Sequence, residues 1–306
     1  MKLIVITGPT GVGKTDLSIK LAEHYGTEII NADSRQIYAE MHIGTAAPTL
    51  EQLERVKHHF VATKHIGDYY SASMYEQEVL ELLNDCAQQH DANSHKDEIM
   101  ILSGGSMLYI DAVCNGIDDI PTIRDDIREM MKQRLASEGL EALVSELDRL
   151  DPEYGKIVDR HNTRRVIHAL EICHQTGLTY TSFRTGEKKA RPFSIIKIGL
   201  TCPREQLYER INTRVIRMID EGLVDEVRSL LPYRHENALN TVGYKEIFKY
   251  IDGEIPLDEA IRQIQSNSRQ YARKQLTWYK RDEEMKWFEN AETEDIIEYI
   301  NSRIKQ

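Results

Sequence analysis

Cysteine is scarce in this chain, and long apolar runs are missing altogether. The four cysteines, Cys86, Cys114, Cys173 and Cys202, stand far apart with no C-x-x-C pair among them. That spacing suggests neither a zinc site nor a disulfide framework and leaves buried free thiols as the expectation. The one apolar run near the start, Leu3-Ile4-Val5-Ile6, is too short for the core of a signal peptide, and no stretch approaches the ~18 apolar residues of a membrane span. A cytoplasmic protein without a membrane partner is expected. Positive charge is short as well: 39 Lys and Arg stand against 50 Asp and Glu, and the net charge of −11 argues against a generic nucleic-acid coat. At 306 residues and 41% apolar, the chain can bury the core of one large domain or two modest ones.

One segment lacks the opposite sign. Residues 261–281, "IRQIQSNSRQYARKQLTWYKR", carry Arg262, Arg269, Arg273, Lys274, Lys280 and Arg281 with no acid, whereas the next 25 residues hold eight acids against three bases. A solvated helix face usually interleaves both signs, so the asymmetry suggests a surface that faces a polyanion.

The clearest motif is Gly8-Pro9-Thr10-Gly11-Val12-Gly13-Lys14-Thr15, a match to G-x-x-x-x-G-K-T. It lies between the apolar run "LIVIT" and a helical pattern that places Leu17, Leu21 and Ala22 on one face. Glycines let backbone N–H groups curl round phosphate oxygens, Lys14 adds charge, and the Thr15 hydroxyl can reach a magnesium ion. Two more apolar runs, "TEIINADS" and "EIMILSGG", end at Asp33 and at Gly104-Gly105, and a helix begins at Ser106. "SIIKIGLTC" (194–202) reads as a further strand. Such alternation implies an α/β fold, a P-loop parallel sheet flanked by helices, with ligands at the carboxyl ends of the strands. From Gly116 to about Arg191 the pattern is helical alone. The expected organisation is therefore a core of 1–116 and 192–306, with only helices after the last strand, interrupted by an all-helical insertion at 117–191.

"IMILSGG" brings Ser103 and two glycines to the place where hydrolytic NTPases usually hold magnesium with an aspartate, which weakens motor and switch readings. Asp33 instead stands beside the phosphate site, suited to act as a general base toward an acceptor group; its alternative is a helix cap. Tyr271, Arg273, Lys274, Trp278 and Tyr279 combine rings that stack bases with charges that hold phosphates, although large aromatics also anchor cores. These letters leave several readings open. A small-molecule kinase would turn over ATP without another donor, and a non-enzymatic RNA-binding module would leave the loop and Asp33 unexplained.

Seven blocks taken in order carry a resemblance: "GPTGVGKT", "NADSRQIYAEMHIGTAAP", "GGSMLYIDAV", "DRHNTRRVIHALEI", "RVIRMIDEGLVDEV", "TVGYKEIFKYIDGEI" and "SRQYARKQLTWYKR". Together they resemble the signature blocks of the bacterial tRNA dimethylallyltransferases, the tRNA delta-2-isopentenylpyrophosphate transferases, which prenylate adenosine 37. Ser106 stands where many members have threonine, and the zinc-finger tail of eukaryotic relatives is absent. The resemblance implies transfer of the dimethylallyl group from dimethylallyl diphosphate to N6 of adenine in the anticodon stem-loop, with pyrophosphate leaving. A cytokinin-type adenylate isopentenyltransferase, which accepts a free nucleotide, is the related alternative.

Carried over by block, Gly8, Pro9, Thr10, Gly11, Val12, Gly13, Lys14 and Thr15 would cradle the diphosphate, and Thr15 would help to place Mg2+. Asp33 would take the proton from the amine while Lys14 and Arg214 neutralise the departing charge. By spacing alone Arg214 reads as a surface arginine. The tRNA contacts implied are Asp33, Ser34, Arg35 and Gln36; Arg164, Arg165, Val166, Ile167 and His168 in the insertion; Thr241, Val242, Gly243, Tyr244, Lys245 and Glu246; and Lys274, Gln275, Leu276, Thr277, Trp278, Tyr279, Lys280 and Arg281. Ser106 and Arg128 match two single positions that flank the passage of the base. A monomer is expected.

Overall fold

The structure is a computed structural model that describes residues 1–89, 99–290 and 292–305. It divides into two compact units, Met1–Cys114 with Arg191–Gln306 and Asn115–Ala190. Both boundaries fall one or two residues before those of the expected 117–191 insertion.

In the first unit, β1 (Lys2–Thr7), β2 (Ile29–Asn31), β3 (His58–His59), β4 (Ile99–Ser103), β5 (Ser194–Thr201) and β6 (Lys286–Glu289) form one sheet in the order β3-β2-β4-β1-β5-β6. Every pairing is parallel. Leu3, Ile4, Val5 and Ile6 are each fully buried, as a central strand covered on both faces requires. Alternate residues serve opposite cores. Leu3, Val5, Ile30 and Leu102 join Tyr75 and Val79 of α3 (Ala72–Gln89) and Tyr109 and Val113 of α4 (Met107–Asn115). Ile4, Ile6, Ile29 and Ile101 join Leu17 and Leu21 of α1 (Lys14–Tyr25) and Ile296 and Ile300 of α13 (Thr293–Ile304).

The sequence reading is corrected in two places. It expected only helices after residue 202, yet β6 returns to the sheet beside β5, and it had no strand at His58–His59. Between β5 and β6 run α9 (Arg204–Asp220), α10 (Leu223–Ser229), α11 (Tyr244–Ile251) and α12 (Leu257–Tyr279). In α9 the buried residues Leu207, Ile211, Val215 and Met218 recur every three or four positions, one stripe of an amphipathic helix. Val215 and Met218 pack with Leu223, Ile247, Ile264 and the loop residues Ile37 and Met41 in a third core. A short helix, α2 (Leu50–Arg55), starts from a Thr49–Gln52 capping box.

The second unit holds α5 (Asp125–Leu150), α6 (Pro152–Ile157), α7 (Thr163–Thr176) and α8 (Tyr180–Phe183) around its own core of Met131, Leu143, Leu147, Tyr154, Val166 and Leu170. Gly139, at φ 80° and ψ 168°, breaks α5 into two helical stretches. All four cysteines are free. Among the described residues, no helix is long and apolar enough to cross a membrane.

Candidate active site

The loop Gly8–Thr15 joins β1 to α1, so it lies at the carboxyl end of a central strand. Lys14 folds back over it, its Nζ donating to the carbonyls of Gly8 (3.0 Å) and Pro9 (2.9 Å). Enclosure by protein pushes the Lys14 ammonium down to about 7; the charge of Arg214 adds to this and Asp33 opposes it. Arg214, from α9, donates through Nη1 to the Thr10 hydroxyl (3.1 Å) and through Nη2 to the Thr45 carbonyl (3.2 Å). Burial lowers its pKa too, with Asp33 again opposing.

Asp33 follows the end of β2. Its Oδ1 accepts from the N–H groups of Arg35 (2.9 Å) and Gln36 (3.4 Å), a turn that fixes the carboxylate. Ser34 N–H donates to Ser106 Oγ (2.7 Å), tying this turn to the start of α4. The glycines after β4 allow the close approach. A Cβ on Gly104 would stand 2.2 Å from the Ala32 oxygen, and one on Gly105 would meet the Gln275 side chain at 2.7 Å. Gln275, only 1% exposed, joins the two sides: its Oε1 accepts from Thr10 N–H and its Nε2 donates to the Gly105 carbonyl, each at 2.8 Å. Tyr271 donates to the same carbonyl (3.3 Å). Ser103, at the end of β4, is bonded to Ser18 Oγ at 2.7 Å.

Lys14, Thr10, Arg214, Asp33, Ser34, Ser106 and Gln275 thus converge in one unit. Thr15 is exposed at the start of α1. Arg128, Arg164, Arg165, Val166, Ile167 and His168 belong to the other unit; there Arg164 and Arg165 are exposed and Val166 is fully buried. Of the third block, Lys245 is exposed, whereas Tyr244 and Glu246 are buried and Glu246 accepts from Gly243 N–H (2.8 Å). Lys274, Thr277, Lys280 and Arg281 are exposed.

Tyr279 is 2% exposed and packs inside the sheet core. Trp278 is half-buried, its indole N–H donating to Asp111 Oδ2 (2.8 Å) while the Arg281 guanidinium lies 5.0 Å from its ring centre. The sequence reading missed the Thr45 carbonyl as a partner of Arg214. The quoted block "HIGTAAP" was the only signal.

A cavity of about 510 Å³ opens against α1, α9 and α13, lined by Gly13, Leu17, Lys20, Arg210 and Phe288 among others. None of Thr10, Asp33 or Arg214 lines it. No cluster of three or more His, Cys, Asp or Glu side chains among the described residues is arranged to hold a metal.

The sequence profile of the IPP transferase family matches residues 36–282. The chain belongs to this family. It is 59% identical to tRNA dimethylallyltransferase 1 of Bacteroides thetaiotaomicron over 97% of this chain and 94% of that protein. Among solved structures, the full-length tRNA isopentenylpyrophosphate transferase of Bacillus halodurans is 34% identical with a TM-score of 0.69, covering 99% of this chain and 95% of that one. A eukaryotic dimethylallyltransferase acting on tRNA shares the fold at 24% identity and a TM-score of 0.78, covering 94% of this chain and 73% of its own.

Proposed function

We propose that the protein transfers the dimethylallyl group of dimethylallyl diphosphate to N6 of adenosine 37 in the anticodon loop of tRNA, releasing pyrophosphate. One observation carries the reading beyond family membership: a carboxylate on a fixed turn, Asp33, shares its site with two cations, Lys14 and Arg214, on a phosphate loop. The bond from N6 to carbon 1 of the prenyl group forms as the bond from carbon 1 to the diphosphate oxygen breaks. The electron pair leaves with the diphosphate, and the N6 proton passes to Asp33. An aromatic amine is a weak nucleophile, so a base at that point helps. Lys14 and Arg214 act on the charge that grows on the leaving oxygens, where fixed cations help most.

The donor set suits Mg2+ held by the diphosphate oxygens and the exposed Thr15 hydroxyl, since this ion is usually bound through substrate phosphates and few protein groups. When bound there it would supply further positive charge to the leaving group. Exposed Lys274, Lys280 and Arg281 suit RNA phosphates, and so, in the other unit taken by itself, do exposed Arg164 and Arg165.

The test is Asp33→Ala. Filter binding should show tRNA and donor affinities within a few fold of wild type, while quench-flow transfer of labelled prenyl group in a single turnover falls by ~10²–10⁴. A near-wild-type rate would reduce Asp33 to a turn residue.

A further inference from the structure

Glu226, in α10, holds a loop that no part of the reaction scheme above has used. Its Oε2 accepts from the backbone N–H groups of His42 (3.0 Å) and Ile43 (2.7 Å), and its Oε1 from Gly44 N–H (2.9 Å) and the Tyr244 hydroxyl (2.7 Å). Four donors on one carboxylate make a strong, directional clamp, because each bond is charge-assisted. Tyr244 is fully buried, and its ring packs so closely that a Cβ on Gly44 would stand 2.6 Å away. No other residue type fits at Gly44 without displacing that ring.

The same turn meets the site through its carbonyls. Thr45 O accepts from Arg214 Nη2 (3.2 Å) and from Gln36 Nε2 (3.1 Å), and Ala46 O accepts from Gln36 Nε2 (3.0 Å). Arg214 in turn reaches the phosphate loop at Thr10. We infer that Glu226 is a positioning residue: by clamping residues 42–44 it sets the Thr45 carbonyl that aims the Arg214 guanidinium at the phosphate loop. Tyr244 then serves this clamp from its buried side. The surrounding geometry explains why an acid is needed, since only a carboxylate offers acceptors alone to four donors.

This inference rests on the proposed reaction only for its kinetic arm; its binding arm needs no prenyl chemistry. Inorganic pyrophosphate is titrated by calorimetry into the full chain as wild type, Glu226→Gln, Arg214→Ala and the double variant. A carboxamide turns one acceptor into an NH2 group that opposes N–H donors. Glu226→Gln should therefore weaken pyrophosphate binding by about 5–10-fold when Arg214 is present and by less than about 2-fold when it is absent, since residues that act through one another are not additive. Equal losses in both backgrounds, as general destabilisation would give, or no loss beside Arg214, overturn the assignment. If Glu226→Gln does not fold, Tyr244→Phe removes one donor and goes through the same cycle, with a smaller loss again confined to the Arg214 background. In the kinetic arm kcat should fall while KM for tRNA stays within about 2-fold of wild type. Should the wild-type protein transfer no prenyl group to tRNA, the proposed reaction fails and the pyrophosphate cycle still decides the role of Glu226.

Discussion

Lys14 shows how far its neighbours can move the titration of a single residue. Its ammonium is satisfied by two loop carbonyls but is crowded by protein and by Arg214, and its pKa drops to about 7 from the ordinary 10.5. Between those two values the unfolded chain binds more protons at this position than the folded one does. This group alone therefore makes the unliganded fold more stable as pH rises from about 7 toward 10.5, the sign expected for a depressed cation. A bound diphosphate favours the charged form and should draw the proton back. At about pH 8, calorimetry of pyrophosphate binding in buffers of different ionisation enthalpy should show wild type taking up about one proton more than Lys14→Met. Equal uptake by the two would mean that Lys14 is already charged in the free protein. Lys14 and Asp33 stand out in the sequence because Lys14 closes a glycine-rich loop after one apolar run and Asp33 ends the next. Arg214 does not, since an arginine in the middle of a helix has the same letters whether it faces water or a phosphate loop; only its block supplied the assignment.

At the scale of elements, α12 has two occupations that the acid-free stretch 261–281 did not separate. Its exposed cations lie on one side, while Gln275 and Tyr279 are buried on the other. Replacing Gln275 with leucine would strand the Thr10 N–H and leave the Gly105 carbonyl only the longer bond from Tyr271, so Gln275→Leu should lower unfolding free energy by roughly 1–3 kcal/mol in urea denaturation. Lys274→Ala, on the exposed side of the same helix, should stay within about 0.5 kcal/mol of wild type. A neutral Gln275→Leu would show that the loop does not depend on this brace. The sheet was legible where strands were long and apolar, as in "LIVIT" and "SIIKIGLT". It was not legible at His58–His59 or at Lys286–Glu289, because two to four residues carry too little alternation to stand out from a loop. Their place is set by pairing with β2 and β5, which sequence letters do not display.

At the scale of the whole molecule, the insertion is a contiguous segment with a core of its own, whereas the parent unit is assembled from two distant stretches. A fragment of residues 115–190 should accordingly show cooperative thermal unfolding by circular dichroism, and Val166→Asp, which buries a charge in that core, should abolish the transition. A featureless melt of the unsubstituted fragment would mean that the insertion needs its parent to fold. The parallel order of the sheet adds a constraint on time. β1 finds β4 on one side within the first 103 residues, but its other edge stays vacant until residues 194–201 have been made. Lys197, buried on that later strand, waits longer still for Asp282 and Glu284 to balance its charge. During synthesis the insertion is complete while the strand that carries the phosphate loop still presents an open row of backbone donors and acceptors, the kind of edge that recruits other chains. A ribosome that pauses between residues 115 and 190 would hold the nascent chain in that state, with holdase chaperones the natural cover for the unpaired edge.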